Sequence, residues 1–145
     1  MKIIFLDVDG VLNNYSSKSS SMLKEQQDTH YPFLWEPELV KILNRIIEET
    51  EAKVILSSSW RTLADAYDVI INDMKIHISD ETPKTFKTRG HEIQTWLDNN
   101  PFVDKFVILD DDTDMDHLKS YLLQTDPKIG LTDEIADKAI KRLNS

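Results

Sequence analysis

Two aspartates stand two residues apart, directly after an apolar run: Asp7 and Asp9 follow Lys2–Leu6 (KIIFL) and precede Gly10. A second apolar run, Lys53–Leu56 (KVIL), closes on Ser57, Ser58 and Ser59, and a third, Phe106–Leu109 (FVIL), closes on Asp110, Asp111 and Asp112. Carboxylates and hydroxyls at such positions can bind a cation, accept or donate a proton, or attack an electrophile. Beyond the third run, Asp114 or one of Asp110 to Asp112 reads as a helix cap rather than a site residue. The same plain role is open to Ser57, Ser58 and Ser59.

The elements that must position these residues follow from the apolar pattern. The three runs are short, β-branched-rich and unalternating, which suits parallel strands covered on both faces. Lys75–Ile78 and Tyr121–Gln124 are weaker strand candidates. Between them lie helical patterns. Leu39, Ile42, Leu43, Ile46 and Ile47 recur at helical spacing behind Pro37, which costs nothing in a first turn. Leu63 to Ile71 forms a second stretch. Ile93, Trp96 and Leu97 mark a third, stopped by Asn99, Asn100 and Pro101. The last has Thr132 as N-cap, acids Asp133 and Glu134 in its first turn, and Lys138, Lys141 and Arg142 near its end, in the order the helix dipole favours. Strands alternating with helices predict an α/β fold, a Rossmann-like three-layer α/β/α sandwich with a mostly parallel sheet. The segment from Asn14 to Trp35 has no period and opens on the low-complexity Ser16–Ser21. It reads as a loop insertion within a single domain spanning 1–145.

In an open sheet of this kind, ligands bind beyond the carboxyl ends of the strands. Asp7, Asp9, Ser57, Ser58, Asp110, Asp111 and Asp112 therefore converge in one crevice. Two like charges about 4 Å apart repel by about 4 kcal/mol at an effective dielectric of about 20. An all-oxygen set under that strain calls for a hard divalent cation, and Mg²⁺ held by Asp7, Asp110 and Asp111 is the expectation.

Composition narrows the classes. The 145 residues carry 17 Lys and Arg against 26 Asp and Glu, a formal charge of −9, which argues against non-specific nucleic-acid binding and against an anionic membrane surface, while leaving room for a local basic patch. With no Cys, thiolate nucleophiles, disulfides and zinc-thiolate sites are excluded. No run approaches the roughly 20 apolar residues of a membrane span. Nothing near Met1 has the pattern of a secretory leader, so the expected location is cytoplasmic.

Phe5-Leu6-Asp7-Val8-Asp9-Gly10-Val11-Leu12 resembles the DxDGV signature of the haloacid dehalogenase superfamily of phosphohydrolases. Val54-Ile55-Leu56-Ser57 resembles its second motif and Val107-Ile108-Leu109-Asp110-Asp111 its fourth, in the family's order. More narrowly, Leu56-Ser57-Ser58-Ser59-Trp60-Arg61, Arg89-Gly90-His91-Glu92-Ile93 and Ile108-Leu109-Asp110-Asp111-Asp112 are similar to a compact, nearly capless subgroup that includes phosphatase-like domains of RNA-repair proteins.

The resemblance implies a Mg²⁺-dependent phosphatase working through an aspartyl-phosphate. Asp7 would be the nucleophile. Asp9 would be general acid and then base, reached from the same side because residues i and i+2 of an extended segment share a face. The family also uses the backbone carbonyl of the second Asp as a metal ligand. Ser57 would hydrogen-bond the phosphoryl group, with Ser58 beside it. The third motif supplies a cation. Lys84, Lys87 and Arg89 compete for that place; Arg89, at the predicted helix start, is favoured and Lys84 is second. Trp60 and Arg61 are either a substrate-contacting pair at the crevice rim or a packed Trp with an Arg paired elsewhere. Tyr31, Phe33 and Trp35 are either a stacking platform or, twice as readily, anchors of the loop.

A slot with only the 14–35 loop in place of a cap leaves the site open to large substrates. The implied partner is a phosphorylated substrate: a nucleotide, a nucleic-acid end or another phosphomonoester. The 14–35 loop is expected to govern substrate choice. A signalling receiver domain would place its acidic pair after the first strand and its phosphoacceptor after a middle one, the reverse of this order. An inactive phosphate- or metal-binding module would not need all of Asp7, Asp9, Asp110 and Asp111.

Overall fold

The structure, a computed structural model, describes residues 1–14 and 33–145. Its frame is a five-stranded sheet in the order β3-β2-β1-β4-β5, every pair parallel. The strands are β1 (Lys2–Leu6), β2 (Lys53–Leu56), β3 (Ile78–Glu81), β4 (Lys105–Asp110) and β5 (Leu122–Gln124). The helices are α1 (Pro37–Thr50), α2 (Ala64–Asp68), α3 (Arg89–Asp98) and α4 (Asp133–Leu143). A 3₁₀ turn, Ser59–Thr62, precedes α2, a π turn, Val69–Asp73, continues it, and a second 3₁₀ turn, Asp116–Tyr121, precedes β5.

The unalternating strands are buried on both faces, as a parallel sheet requires. In β1, Ile4 and Leu6 pack with Val54, Leu56, Val107 and Leu109 against Leu43 and Ile46 of α1 and Ala136 and Ala139 of α4. Ile3 and Phe5 face the other way, with Ile55 and Ile108, against Ile93 and Trp96 of α3. That alternation gives the three layers. Phe5 meets the Trp96 ring edge-on at 5.5 Å.

Two expectations shift. The strand foreseen at Lys75–Ile78 begins where that segment ends. Lys75 takes a left-handed backbone (φ 59°) that stops the π turn, Ile76 is buried ahead of the strand, and β3 itself is a mostly exposed edge (Ile-Ser-Asp-Glu) without an apolar signature. The helix foreseen over Leu63–Ile71 is split into α2 and the π turn. The Thr132 cap is present, its hydroxyl accepting from the Ile135 N–H at 3.2 Å. Of the 14–35 loop, residues 15–32 lie outside the described residues, Tyr31 and the expected substrate-selecting role with them. Phe33 and Trp35 pack on the α1–α4 side of the core, as anchors.

From β1 the chain moves to β2 and β3 on one side, then returns past β1 to β4 and β5 on the other. The reversal opens a crevice at the carboxyl ends of β1 and β4. There the ladder runs one residue beyond the strands. Asp7 N–H donates to Leu109 O, Ser57 N–H to Leu6 O, Thr82 N–H to Leu56 O and Thr125 N–H to Asp110 O, all near 3.0 Å. Asp7 and Ser57 therefore sit on the rigid rim of the sheet rather than on free loops.

Candidate active site

Asp7, Asp110 and Asp111 come together at this rim, each offering a carboxylate oxygen within 4.8 Å of the others. Asp7 and Asp110 are buried, and Asp111 is half-buried. Burial is the largest cause of the raised pKa values of Asp7 and Asp110. Asp7 is pushed up to about 6, with the charges of Asp111 and Asp9 adding and Arg89 opposing. Asp110 is pushed up to about 8, with Asp7 adding and Arg89 opposing. Two buried acids that resist ionising beside a third are an all-oxygen set short of positive charge. A hard divalent cation such as Mg²⁺ fits that need.

One cation of the chain already leans on the cluster. Arg89 Nη1 lies 3.0 Å from Asp110 Oδ2 and 3.5 Å from Asp7 Oδ1. Burial works against the guanidinium's charge, but Asp7 and Asp110 outweigh it and raise its pKa. Arg89 is held there from its own backbone. Its N–H donates to Asp114 Oδ2 at 3.2 Å, and the next N–H, of Gly90, donates to Asp114 O at 3.0 Å. A Cβ on Gly90 would lie 2.3 Å from the Met115 backbone, so only glycine lets α3 start against this loop. Thr88 caps the helix by accepting from the His91 N–H.

Of the three cations that competed in the sequence, Arg89 is the one the structure brings to the carboxylates. Lys84 is exposed, with its ammonium 5.4 Å from the centre of the Phe86 ring, and Lys87 is exposed as well. Neither makes an ion pair among the described residues.

Asp9 departs from the expected geometry. It stands in the turn that follows β1, exposed, rather than on extended chain sharing a face with Asp7. Its Oδ1 accepts from Asn13 Nδ2 at 3.0 Å and its Oδ2 from the Trp60 indole N–H at 3.1 Å. Asn13 also accepts from the Gly10 N–H at 2.9 Å, tying the turn to the carboxylate it orients. Gly10 has φ 79°, and a Cβ there would come within 2.5 Å of Asp111 Oδ2. The turn can approach Asp111 only because that residue is glycine. Asp9's carboxylate is not one of the three gathered oxygens; the metal role expected of Asp9 was that of its backbone carbonyl.

The two serines differ. Ser58 Oγ accepts from the Trp60 N–H at 3.1 Å and caps the 3₁₀ turn, the plain role open to it, so its oxygen is already engaged. Ser57 Oγ is buried with no hydrogen-bond partner among the described residues. A buried hydroxyl left so is costly unless a ligand completes it.

Trp60 and Arg61 are not a pair at the rim. The Arg61 side chain is buried and committed: Nε donates to Thr82 O at 3.1 Å, Nη1 to Ser57 O at 3.3 Å and Ser58 O at 2.6 Å, and Nη2 to Glu92 Oε1 at 2.9 Å. It braces the serine loop from below. Trp60 is buried, packed edge-on to Phe33 at 5.3 Å. Asp112, expected in the crevice, is not among the gathered oxygens. Asp112 Oδ1 accepts from the N–H groups of Thr113 and Asp114 and shapes the loop, and Asp114 receives the start of α3.

Two residues without an assigned role prove important. Asn13 fixes Asp9, and an Asn after a turn carries no distinctive signal. Glu92 takes Arg61 on one oxygen and the Thr85 N–H on the other, and its Oε1 lies 3.9 Å from Arg89 Nε. Its i, i+3 placement after Arg89 was visible in the sequence.

A family model described as the HAD domain in Swiss Army Knife RNA repair proteins matches residues 3–136, nearly the whole chain. The chain belongs to this family. No curated protein matches it. Membership points to phosphohydrolase-type chemistry in general, and the acidic cluster stands at the β1 and β4 ends. No helix among the described residues is long and apolar enough to cross a membrane.

Proposed function

We propose that this HAD domain is a Mg²⁺-dependent phosphomonoesterase that acts through an aspartyl-phosphate on phosphorylated nucleic-acid ends. The observation that carries the reading is the cluster of Asp7, Asp110 and Asp111 with Arg89 against it and the unpartnered Ser57 hydroxyl beside it at the rim. The nucleic-acid end is favoured over a sugar phosphate by the family's description.

In this reading an Asp7 carboxylate oxygen attacks phosphorus, and the bond from phosphorus to the leaving oxygen breaks. Asp9 serves as the general acid that delivers a proton to the leaving oxygen. Asp9 then takes a proton from water, whose oxygen attacks phosphorus and frees Asp7 and inorganic phosphate. Arg89 and the Ser57 hydroxyl bind phosphoryl oxygens, and Trp60 and Asn13 aim the Asp9 carboxylate. Mg²⁺, held by Asp7, Asp110, Asp111 and the Asp9 carbonyl, would offset the charge of the transferring group, the main demand of phosphoryl transfer.

The test is phosphate release from 3′- and 5′-phosphorylated oligonucleotides, nucleotides and sugar phosphates, with Mg²⁺ and with chelator. Turnover is expected with Mg²⁺ on the oligonucleotides, and none in Asp7→Asn. Undiminished turnover by folded Asp7→Asn refutes the assignment.

A further inference from the structure

The loop between β3 and α3 runs against the charge of the rest of the chain. Residues 82–91, this loop and the first three residues of α3, carry Lys84, Lys87 and Arg89 and no acid, in a protein of formal charge −9. In their midst Phe86 is 86% exposed. Its backbone is left-handed (φ 61°), a region that bulky residues avoid. Such a conformation persists only where neighbouring structure imposes it. Here both flanks are pinned. The Thr85 N–H donates to Glu92 Oε2 at 2.9 Å and its hydroxyl meets His91 Nδ1 at 3.0 Å. On the other side the Thr88 hydroxyl donates to Asp116 Oδ2 at 2.6 Å, and Arg89 is fixed on Asp110. The loop is braced from both ends and holds an apolar ring out into water. Lys84 lies over that ring, 5.4 Å from its centre.

The same loop leads directly into the site's own cation, Arg89, the first residue of α3. Phe86 precedes Arg89 by three residues, a reach of at most about 11 Å. A displayed ring flanked by two ammonium groups, leading into a phosphate-binding arginine, matches a polyanion that carries flat bases beside its phosphates. Aromatic rings stack on any base, and lysines meet the backbone.

We propose that residues 84–88 form a platform for single-stranded nucleic acid, with Phe86 stacking on a base near the phosphorylated end and Lys84 and Lys87 facing backbone phosphates. The proposal rests on the phosphatase reading and adds to it the element that recognises the strand. The acidic charge elsewhere confines the contact to the few nucleotides beside the end.

The experiment uses the full chain, a phosphorylated single strand of about ten nucleotides, within the usual footprint of such grooves, and p-nitrophenyl phosphate. In Phe86→Ala the ratio of kcat/KM for the oligonucleotide to that for p-nitrophenyl phosphate should fall about tenfold, the usual worth of one stacked base. The loss should sit in KM, be restored by Phe86→Trp, and vanish on an oligonucleotide made abasic near its phosphorylated end. Since Phe86 is solvent-exposed, the substitution leaves the core intact. An unchanged ratio overturns the platform, as does an equal loss on the abasic strand or a wild-type preference for a phosphopeptide. Anisotropy titration of the labelled oligonucleotide into Asp7→Asn separates the two readings. Ring-dependent binding without any wild-type turnover leaves the platform standing and removes the phosphatase. Turnover with ring-independent binding does the reverse.

Discussion

Arg61→Met distinguishes a buried brace from a substrate contact. The side chains of Arg61 and Glu92 are 5% and 8% exposed, and their ion pair is 2.9 Å. Removing the guanidinium leaves Glu92 with the Thr85 N–H and, at 3.9 Å, Arg89 Nε, and strips a donor from the carbonyls of Ser57, Ser58 and Thr82. Deleting one partner of a buried pair costs about 3–5 kcal/mol, because the other charge stays behind uncompensated. An unfolding entropy of about 2.1 cal/mol/K per residue gives a chain of this length about 0.3 kcal/mol/K, so Tm should drop by about 10 °C or more. Calorimetry measures it, with p-nitrophenyl phosphate turnover read well below the transition. The double variant Arg61→Met/Glu92→Leu should recover most of the loss, since an apolar pair has no charge to bury. A Tm within about 3 °C of wild type, together with a collapse of oligonucleotide turnover, would refute the brace and return Arg61 to the substrate.

Millimolar Mg²⁺ should raise Tm by several degrees, because a ligand at about 100 times its Kd adds about 2.7 kcal/mol to the native state; Asp111→Ala should lose that shift, and wild-type melting curves that ignore Mg²⁺ would remove the metal site. In chelator, Asp7 and Asp110 have native pKa values of about 6 and about 8 against an ordinary 3.8, so the native state binds protons more tightly than the unfolded chain. Their contribution to stability is therefore largest in acid and falls as pH rises from about 4 to about 8; melting across that range should show it in wild type and lose it in Asp7→Asn/Asp110→Asn, and an unaltered pH trend in the double variant refutes the cause. Trp60→Phe keeps a ring against Phe33 and removes the N–H that holds Asp9 Oδ2; hydrolysis of an alkyl phosphate, whose leaving oxygen needs a proton, should slow about tenfold more than that of p-nitrophenyl phosphate, the order of one hydrogen bond to a charged group, and equal losses would refute the positioning role.

The sequence carried the parts of this site that depend on local pattern. β1, β2 and β4 are unbroken apolar runs because both their faces are covered, and each run breaks where the sheet meets the crevice, so Asp7, Ser57 and Asp110 were marked by the change from apolar to polar. Arg89 was legible because a helix must start near Gly90 and a cation at its first turn can reach the strand ends. β3 was misplaced by three residues because an exposed edge strand has no apolar run to announce it, while buried Ile76 just before it imitates one.

What escaped was whatever depends on partners distant in sequence. Nothing around Trp60-Arg61 announces that Glu92, 31 residues on, will take the guanidinium, or that the indole will reach back 51 residues to Asp9. These long-range bonds divide the labour within one short segment. Ser57 keeps a buried, unpartnered hydroxyl, Ser58 shapes the turn, Trp60 holds the Asp9 carboxylate, and Arg61 holds the carbonyls of Ser57 and Ser58. Glu92 ties that segment to α3, where Arg89 stands. The buried pair thus couples the phosphate-binding hydroxyl of this reading to its phosphate-binding cation, and a change at Arg61 would be felt at both without either being touched.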